Sequence, residues 1–116
     1  MIYCANIYCY RNSVFNDLQN IDKSHYNKDI WAFAYQEDER ALNLKCKPVK
    51  GKIKEDNHFY EYKANGKDLK KNGVTTYARF FTDTYEEAVG GFNKLVQQRI
   101  ESLKAEIIKL ENTLIN

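Results

Sequence analysis

Residues 84–116 read TYEEAVGGFNKLVQQRIESLKAEIIKLENTLIN, and this stretch decides the fold. It opens with Thr84 and, three residues later, Glu87, the hydroxyl and the carboxylate of a helix-capping box. From Val89 onward, apolar residues fall alternately three and four positions apart, which is the heptad spacing of a helix that buries one narrow seam. The seam has Val89, Val96, Leu103 and Leu110 at d positions and Asn93, Ile100, Ile107 and Leu114 at a positions. We therefore predict one long helix over residues 83–116.

The composition of this seam indicates self-assembly. Branched Ile at a, Leu at d and a single Asn at a form the pattern of a two-stranded coiled coil, so we predict a homodimer through the helix. A helix of about 30 residues is near 45 Å long, whereas strands of five or six residues span about 20 Å. The C-terminal part is therefore expected to extend beyond the sheet. The competing interpretation is that the seam packs on the chain's own sheet.

Gly90 and Gly91 are unusual inside this helix. Together they cost about 2 kcal/mol relative to two alanines. We therefore expect either a break in the helix or a close approach to its backbone by a strand, a partner helix or a ligand.

The remaining sequence predicts a sheet. Aromatic residues make up 14% of the chain, and segments 2–10, 30–35, 41–53, 58–63 and 74–82 have the character of strands. Asn65-Gly66 and Asn72-Gly73 are turn signals. We predict a single α+β domain, with a sheet-rich core over residues 1–82 that holds four or five mostly antiparallel strands. Trp31, Phe33 and Tyr35 share a strand face that forms either core under the helix or a stacking platform.

Composition also limits location and partners. The formal net charge of +2 is far below that of a dedicated nucleic-acid binder, so nucleic acid is not the partner we expect. Three cysteines, Cys4, Cys9 and Cys46, are an odd number, and residues 1–10 lack the features of a signal peptide. The longest apolar run, residues 30–35, is too short to span a bilayer, which requires about 20 residues. We expect a cytoplasmic protein that does not enter the membrane.

Lysines at 45, 47, 50, 52 and 54 form a stripe. On an edge strand, lysines prevent edge-to-edge aggregation, and this is the simpler interpretation. The alternative is a rim that faces an anion.

No catalytic constellation is present in the sequence. We find no nucleophile beside a base, no paired carboxylates, no phosphate-binding glycine loop and no Cys or His spacing typical of zinc. The sequence therefore predicts a binding protein that is not an enzyme and that carries no metal or cofactor.

A binding site is predicted where the last strand meets the helix. Arg79, Tyr77 and Phe81 share one face of the predicted strand 74–82, and Asn93 and Arg99 lie on the helix near the glycine pair. Guanidinium groups for phosphate, an amide for a base edge and aromatic rings for stacking are the components of a nucleotide pocket. Each residue also has a structural interpretation: Arg79 as an exposed sheet residue, Asn93 as the seam amide and Arg99 as a flanking helix charge.

Three runs in this region carry a resemblance to a known family: Thr76-Tyr77-Ala78-Arg79-Phe80-Phe81, Asp83-Thr84-Tyr85-Glu86-Glu87-Ala88, and Phe92-Asn93-Lys94-Leu95-Val96-Gln97-Gln98-Arg99-Ile100. Together with Lys45-Cys46-Lys47-Pro48, they resemble the small phage proteins of the Thoeris anti-defence sponge family, over roughly residues 41–104. Members of that family bind cyclic ADP-ribose isomers without cleaving them, in pockets of an oligomer assembled through C-terminal helices.

The resemblance implies a non-catalytic phage protein that sequesters a cyclic nucleotide immune signal in the bacterial host cytoplasm. It also implies that Arg79, Arg99 and Lys45 hold the phosphates, that Asn93 reads a polar edge and that Tyr77 or Phe81 stacks on the ligand. Two other functions stay open. One is an anti-CRISPR-like inhibitor or adaptor that docks on a host protein. The other is a single-strand nucleic-acid binder that uses the aromatic strands and the lysine stripe.

Overall fold

The computed structural model describes residues 1–7, 14–36, 42–63 and 65–115. These residues form a mixed seven-stranded sheet, a two-stranded sheet and one long helix, so the predicted α+β class is confirmed. The strands are β1 Ile2–Cys4, β2 Gln19–Asn20, β3 Asp29–Phe33, β4 Tyr35–Gln36, β5 Leu42–Asn43, β6 Val49–Ile53, β7 His58–Tyr62, β8 Leu69–Thr75 and β9 Phe80–Thr82, and the helix is α1 Tyr85–Asn112.

The large sheet has the order β2-β1-β9-β3-β6-β7-β8, and β4 pairs with β5 in the small one. β1 and β2 are parallel, whereas the other pairs are antiparallel. The predicted sheet of four or five mostly antiparallel strands is therefore corrected to a larger, mixed one. Strand β2 has two residues, too few to leave a periodic signal in the sequence.

Three predicted strands are each divided. The predicted strand 30–35 is split at Ala34 between β3 of the large sheet and β4 of the small one. The predicted strand 41–53 becomes β5 and β6, with Pro48 in the connection between them. The predicted strand 74–82 is interrupted by a 3-10 turn at Thr76–Ala78, which takes the chain from edge strand β8 to central strand β9. Asn72-Gly73 is not a turn but lies within β8, near a shift in register against β7. Asn65-Gly66 is a turn as predicted, with Gly66 at φ 73°.

Each face of the sheet has its own apolar core. On the helix side, Phe33 and Phe80 lie fully buried against Ala88 and Leu95 of α1. On the opposite side, a second cluster contains the buried residues Ile30, Ala32, Ile53, Phe59 and Phe81. Residues of β3 and β9 alternate between the two clusters, as the pleat of a strand requires. Of the predicted face, Phe33 occupies the core position and Trp31 packs against that core, whereas Tyr35 leaves the face because Ala34 at φ 52° ends β3 and Tyr35 enters β4 of the small sheet.

Helix α1 begins at the predicted N-cap, Thr84, but only half of the predicted capping box forms, because the Glu87 carboxylate bonds the Thr84 hydroxyl and the Met1 amino group instead of the Thr84 backbone N–H. The side chain of Thr84 accepts a hydrogen bond from the backbone N–H of Glu87 and donates one to Oε1 of Glu87 at 2.9 Å. One turn further, Gly91 is buried where a methyl group would lie 2.7 Å from Cζ of Phe33 and 3.0 Å from Cδ1 of Ile2. The close approach expected at the glycine pair is thus made by strands β1 and β3. At Gly90 the same space is open.

The helix uses only its first half to contact the sheet. Its buried residues are Ala88, Gly91 and Leu95, and every residue over 97–115 is exposed. At 100° per residue, the predicted seam lies about 120° round the helix from this buried line. The seam therefore does not pack on the chain's own sheet, and the C-terminal half extends beyond it. The overhang contributes to overall dimensions of 61 × 30 × 24 Å.

The predicted first strand 2–10 is shorter than expected, because β1 ends at Cys4. Its part beyond Ile7, which includes Cys9, lies outside the described residues, as do residues 37–41. In the part of the chain that the structure describes, no helix is both long and apolar enough to span a membrane.

Candidate ligand-binding face

The six residues predicted as ligand contacts are not brought together. Arg79 and Phe81 lie on the side of the sheet that faces away from α1, where both pack against Phe59. Phe81 is fully buried, with its ring centroid 5.8 Å from that of Phe59, so it has no surface on which a ligand could stack. In contrast, Asn93 and Arg99 are exposed on the helix, across the sheet.

Arg79 is a core residue rather than an exposed one. It is 8% exposed, and its Cζ lies 5.4 Å from the centroid of the Phe59 ring. Burial lowers the pKa of the Arg79 guanidinium. Electrostatic interactions with Cys46, Glu61 and Tyr35 raise this pKa, but by less. Its Nε is buried and makes no hydrogen bond to a described residue. This cation on an aromatic ring supports the second core.

Tyr77 and Lys45 are exposed and separate. Tyr77 is 57% exposed in the 3-10 turn, so it does not share a strand face with Arg79 as predicted. Lys45 lies in the turn after β5, which belongs to the small sheet. The predicted pocket assumed one unbroken strand over residues 74–82. The 3-10 turn at Thr76–Ala78 breaks that strand.

A different set of polar and aromatic side chains is aligned on the helix side of the sheet. Strand pairing places Lys52 beside Tyr60, and Tyr60 beside Lys71, in one row across β6, β7 and β8. In the neighbouring row, Lys50 of β6 has its Nζ 6.0 Å from the ring centroid of Tyr62 in β7. We call these five residues the tyrosine–lysine face. Helix α1 contacts β1, β3 and β9, so this part of the sheet lies beside the helix rather than beneath it.

The position of β6 removes the simpler explanation of the lysine stripe. β6 lies between β3 and β7, with hydrogen-bonded partners on both sides. An interior strand has no open edge to protect from aggregation. Lys50 and Lys52 are therefore not edge guards, and the alternative of an anion-facing surface gains support. Lys45 and Lys47 lie before β6 and do not belong to this surface.

The two tyrosines are oriented by carboxylates at the border of the face. Tyr62 Oη donates a hydrogen bond of 2.6 Å to Oδ1 of Asp29, and Tyr60 Oη donates one of 2.6 Å to Oδ2 of Asp56. These hydrogen bonds lower the pKa of both carboxyl groups and raise the pKa of both tyrosines. Because each hydroxyl is held, the half-buried rings have fixed positions beside the lysines.

Positive charge exceeds negative charge on and around the face. Lys50, Lys52, Lys71 and the flanking Lys54 oppose Asp29 and Asp56, which gives four positive and two negative charges. Among the described residues, Lys50 is the one of these lysines that forms an ion pair, with Asp29 at 3.5 Å. The other three ammonium groups retain their capacity to bind an anion such as phosphate.

A shallow depression adjoins the face at its outer edge. Its volume is about 280 Å³, and its lining includes Tyr62 and Lys71 of the face. The other lining residues are Glu61, Lys63 and Lys70, so three of the five are lysines. This volume is near the lower limit of small-ligand sites, about 300 Å³. A ligand with one group in the depression and a flat ring over the tyrosines would contact both.

The sequence contains a signal for this face that spans two strands and the turn between them. Lys50, Lys52 and Lys54 alternate before the turn at residues 55–57, and Tyr60 and Tyr62 alternate after it. A tight turn sets these two alternations opposite each other on one side of a hairpin. Lys71 could not be found in this way, because Asn72-Gly73 indicated a turn where β8 continues.

Metal chemistry receives no support from the described residues. The part of the chain that the structure describes contains no cluster of three or more His, Cys, Asp or Glu side chains able to hold a metal ion. His58 instead lies beside Asp56, with Nδ1 3.0 Å from the backbone oxygen of that residue.

Comparisons of this chain with protein-family models, with curated proteins and with solved structures gave no match.

Proposed function

We propose that this protein captures a phosphate-bearing nucleotide on the tyrosine–lysine face and holds it without turnover. The observation that carries the proposal is the row Lys52–Tyr60–Lys71, which lies on interior and edge strands beside the helix and is not covered by it. One ammonium group on each side of an aromatic ring matches a ligand that has both phosphates and a flat base.

Sequestration is the mode of action that we propose. The resemblance to the Thoeris anti-defence sponges implies a cyclic ADP-ribose isomer as the ligand, and such a molecule carries two phosphates and an adenine ring. Capture lowers the concentration of free signal, because every bound molecule is withdrawn from its effector. The proposed contacts differ from those in the sequence-based prediction: the face replaces Arg79 and Phe81, which are in the core.

The proposal is tested by isothermal titration of the whole protein with cyclic ADP-ribose isomers and cyclic dinucleotides. The bound ligand is then released by heat and analysed by mass spectrometry. We expect binding, and recovery of the ligand unchanged. A variant with Lys52→Ala and Lys71→Ala should bind about tenfold more weakly or worse, because it loses two charge-assisted contacts.

The matched control carries Lys94→Ala and Lys109→Ala, which removes the same charge from exposed positions on α1. It should bind as tightly as the parent chain. Equal weakening in both variants would show a general charge effect and reject the face as the site. Recovery of a cleaved ligand would instead identify an enzyme, and no binding to any member of the panel would reject nucleotide capture.

Polynucleotide binding is distinguished in the same experiment. A single-stranded oligonucleotide that binds with a steep dependence on salt, while the cyclic ADP-ribose isomers and cyclic dinucleotides do not bind, would favour a single-strand binder on the same face.

A host-protein inhibitor or adaptor is the second candidate function. It is favoured by two exposed isoleucines outside the seam: Ile108 on α1, which is 57% exposed, and Ile115 beyond the end of the helix, which is 97% exposed. Co-elution of the protein with one defined host component, abolished by Ile108→Ser, would support it. If the chain binds nucleotides and co-elutes with no host component, the inhibitor or adaptor function is not supported.

A further inference from the structure

The exposed half of α1 has one continuous apolar seam. Ile100, Leu103, Ile107, Leu110 and Leu114 are between 39% and 75% exposed. The seam continues toward the sheet through the exposed Asn93 and the half-buried Val89 and Val96. The seam positions within α1 share one side of the helix, about 120° from the line that packs on the sheet, and Leu114 follows two residues after the end of the helix.

Charged residues on either side of the seam indicate which way a second helix would run. In the heptad assigned above, the e positions hold Gln97, Lys104 and Glu111, and the g positions hold Arg99, Glu106 and Thr113. In a parallel pair, each g residue lies near the e residue five positions later in the partner. Arg99 would then meet the partner's Lys104, and Glu106 would meet the partner's Glu111. Both contacts are between like charges, and symmetry doubles them.

An antiparallel pair reverses this result. Each g residue then lies near a g residue of the partner, and each e residue lies near an e residue of the partner. With the helices fully overlapped, Ile100 lies opposite the partner's Leu103, and Val96 lies opposite the partner's Ile107. In this register Arg99 faces the partner's Glu106, and Glu106 faces the partner's Arg99. Both flanking ion pairs are attractive.

We infer that two copies of this chain associate through the seam as an antiparallel helix pair, in the register that sets Arg99 against the partner's Glu106. A shorter antiparallel overlap, which sets Lys104 against the partner's Glu111, is also attractive in charge. It covers only the seam residues from Leu103 to Leu114, so the longer overlap removes more apolar surface from water. This inference is independent of the proposed ligand, because the seam and the tyrosine–lysine face lie on different elements.

Single and double charge reversals test both the association and its direction. The association constant of each variant is measured by sedimentation equilibrium. For the antiparallel pair, Glu106→Lys or Arg99→Glu alone converts two attractive contacts into repulsive ones and should weaken the dimer by about tenfold. The double variant, with both reversals, should restore the parent value. For a parallel pair, each single reversal would strengthen the dimer, because it would replace contacts between like charges with attractive ones.

Matched controls are Glu101→Lys and Lys94→Glu, which make the same charge changes at exposed positions outside the seam. They should change the association constant by less than about twofold. All the altered side chains are exposed, and circular dichroism of each variant checks that it is folded. A parent chain that is monomeric at all concentrations overturns the inference. Strengthening by the single reversals, or no change from them, overturns the proposed direction or register.

Discussion

Gly91 of α1 lies directly against the ring of Phe33, so that a methyl group at position 91 would be 2.7 Å from Cζ of Phe33. Phe33 is fully buried between Phe15, Phe80 and the helix, and its ring has no space into which to move. We predict that Gly91→Ala destabilises the protein by about 1–3 kcal/mol despite the better helix propensity of alanine. Thermal and urea unfolding measure this change.

Gly90→Ala is the matched control for that substitution. A methyl group at position 90 meets no atom within 4 Å, so alanine gains its helix propensity without a clash. We predict stabilisation by about 1 kcal/mol. Equal effects of the two substitutions would contradict the packing of Gly91 on Phe33.

The N-cap of α1 should matter more than its C-terminal end. Thr84→Ala removes the acceptor for the Glu87 N–H, 3.2 Å away, and should cost about 1 kcal/mol of stability. Thr113→Ala lies at the exposed end of the helix, where its hydroxyl bonds the Leu110 carbonyl, and should cost little. The two free energies of unfolding are measured by urea titration. A larger loss for Thr113→Ala would show that stability is concentrated in the overhang.

The hydrogen bond from Tyr62 to Asp29 predicts a particular response to pH. It lowers the pKa of Asp29, so its contribution to stability is present above the ordinary carboxyl pKa and is lost as pH falls through the lowered value. It also raises the pKa of Tyr62, so the same contribution is lost at the alkaline end as pH rises through the raised value. Tyr62→Phe should therefore move the pKa of Asp29 up, although the nearby Lys50 continues to lower it.

Carbon-13 NMR of the aspartate carboxyl groups, from about pH 2 to pH 6, measures this change. Tyr60→Phe is the control, because it removes the corresponding bond to Asp56 and should move the pKa of Asp56 instead. If both variants changed the pKa of both carboxyl groups equally, the pKa shifts would come from the overall charge rather than from the individual hydrogen bonds.

Removal of the helix overhang should separate folding from self-association. In a chain that ends at Ser102, the described residues that are lost, 103–115, are all exposed. We predict that the free energy of unfolding of the monomer changes by less than about 1 kcal/mol, because surface residues contribute little. The truncated chain should also be monomeric in sedimentation equilibrium. A truncated chain that is unfolded would mean that the overhang contributes to the fold itself.

The helix was predictable because its signals are local. The Thr84 cap, the start of α1 and the overhang all follow from spacing within one segment, and the structure agrees with them. A close approach to the helix backbone at the glycine pair was predictable, because glycines inside a helix are costly unless a close neighbour requires them. The identity of Phe33 and Ile2 as its neighbours was not, because these residues are distant in sequence.

The candidate site was less predictable because it depends on pairing between strands. Arg79 was expected as an exposed sheet residue. It instead lies directly before β9, a central strand with apolar cores on both sides. Lys50 and Lys52 were thought to protect an edge, and only the pairing of β6 with both β3 and β7 excludes this. Turn signals were misleading where tertiary pairing continued a strand through Asn72-Gly73.

The central place of β9 has a consequence for how the chain acquires its structure during synthesis. Among the described strands, β9 is the last to leave the ribosome, yet it lies between β1 and β3 in the order β2-β1-β9-β3-β6-β7-β8. Before residues 80–82 emerge, no described strand pair joins β1 and β2 to the four strands β3, β6, β7 and β8. The two parts of the sheet therefore wait with unpaired edges until β9 has been synthesised, and the helix that follows β9 closes the core immediately afterwards.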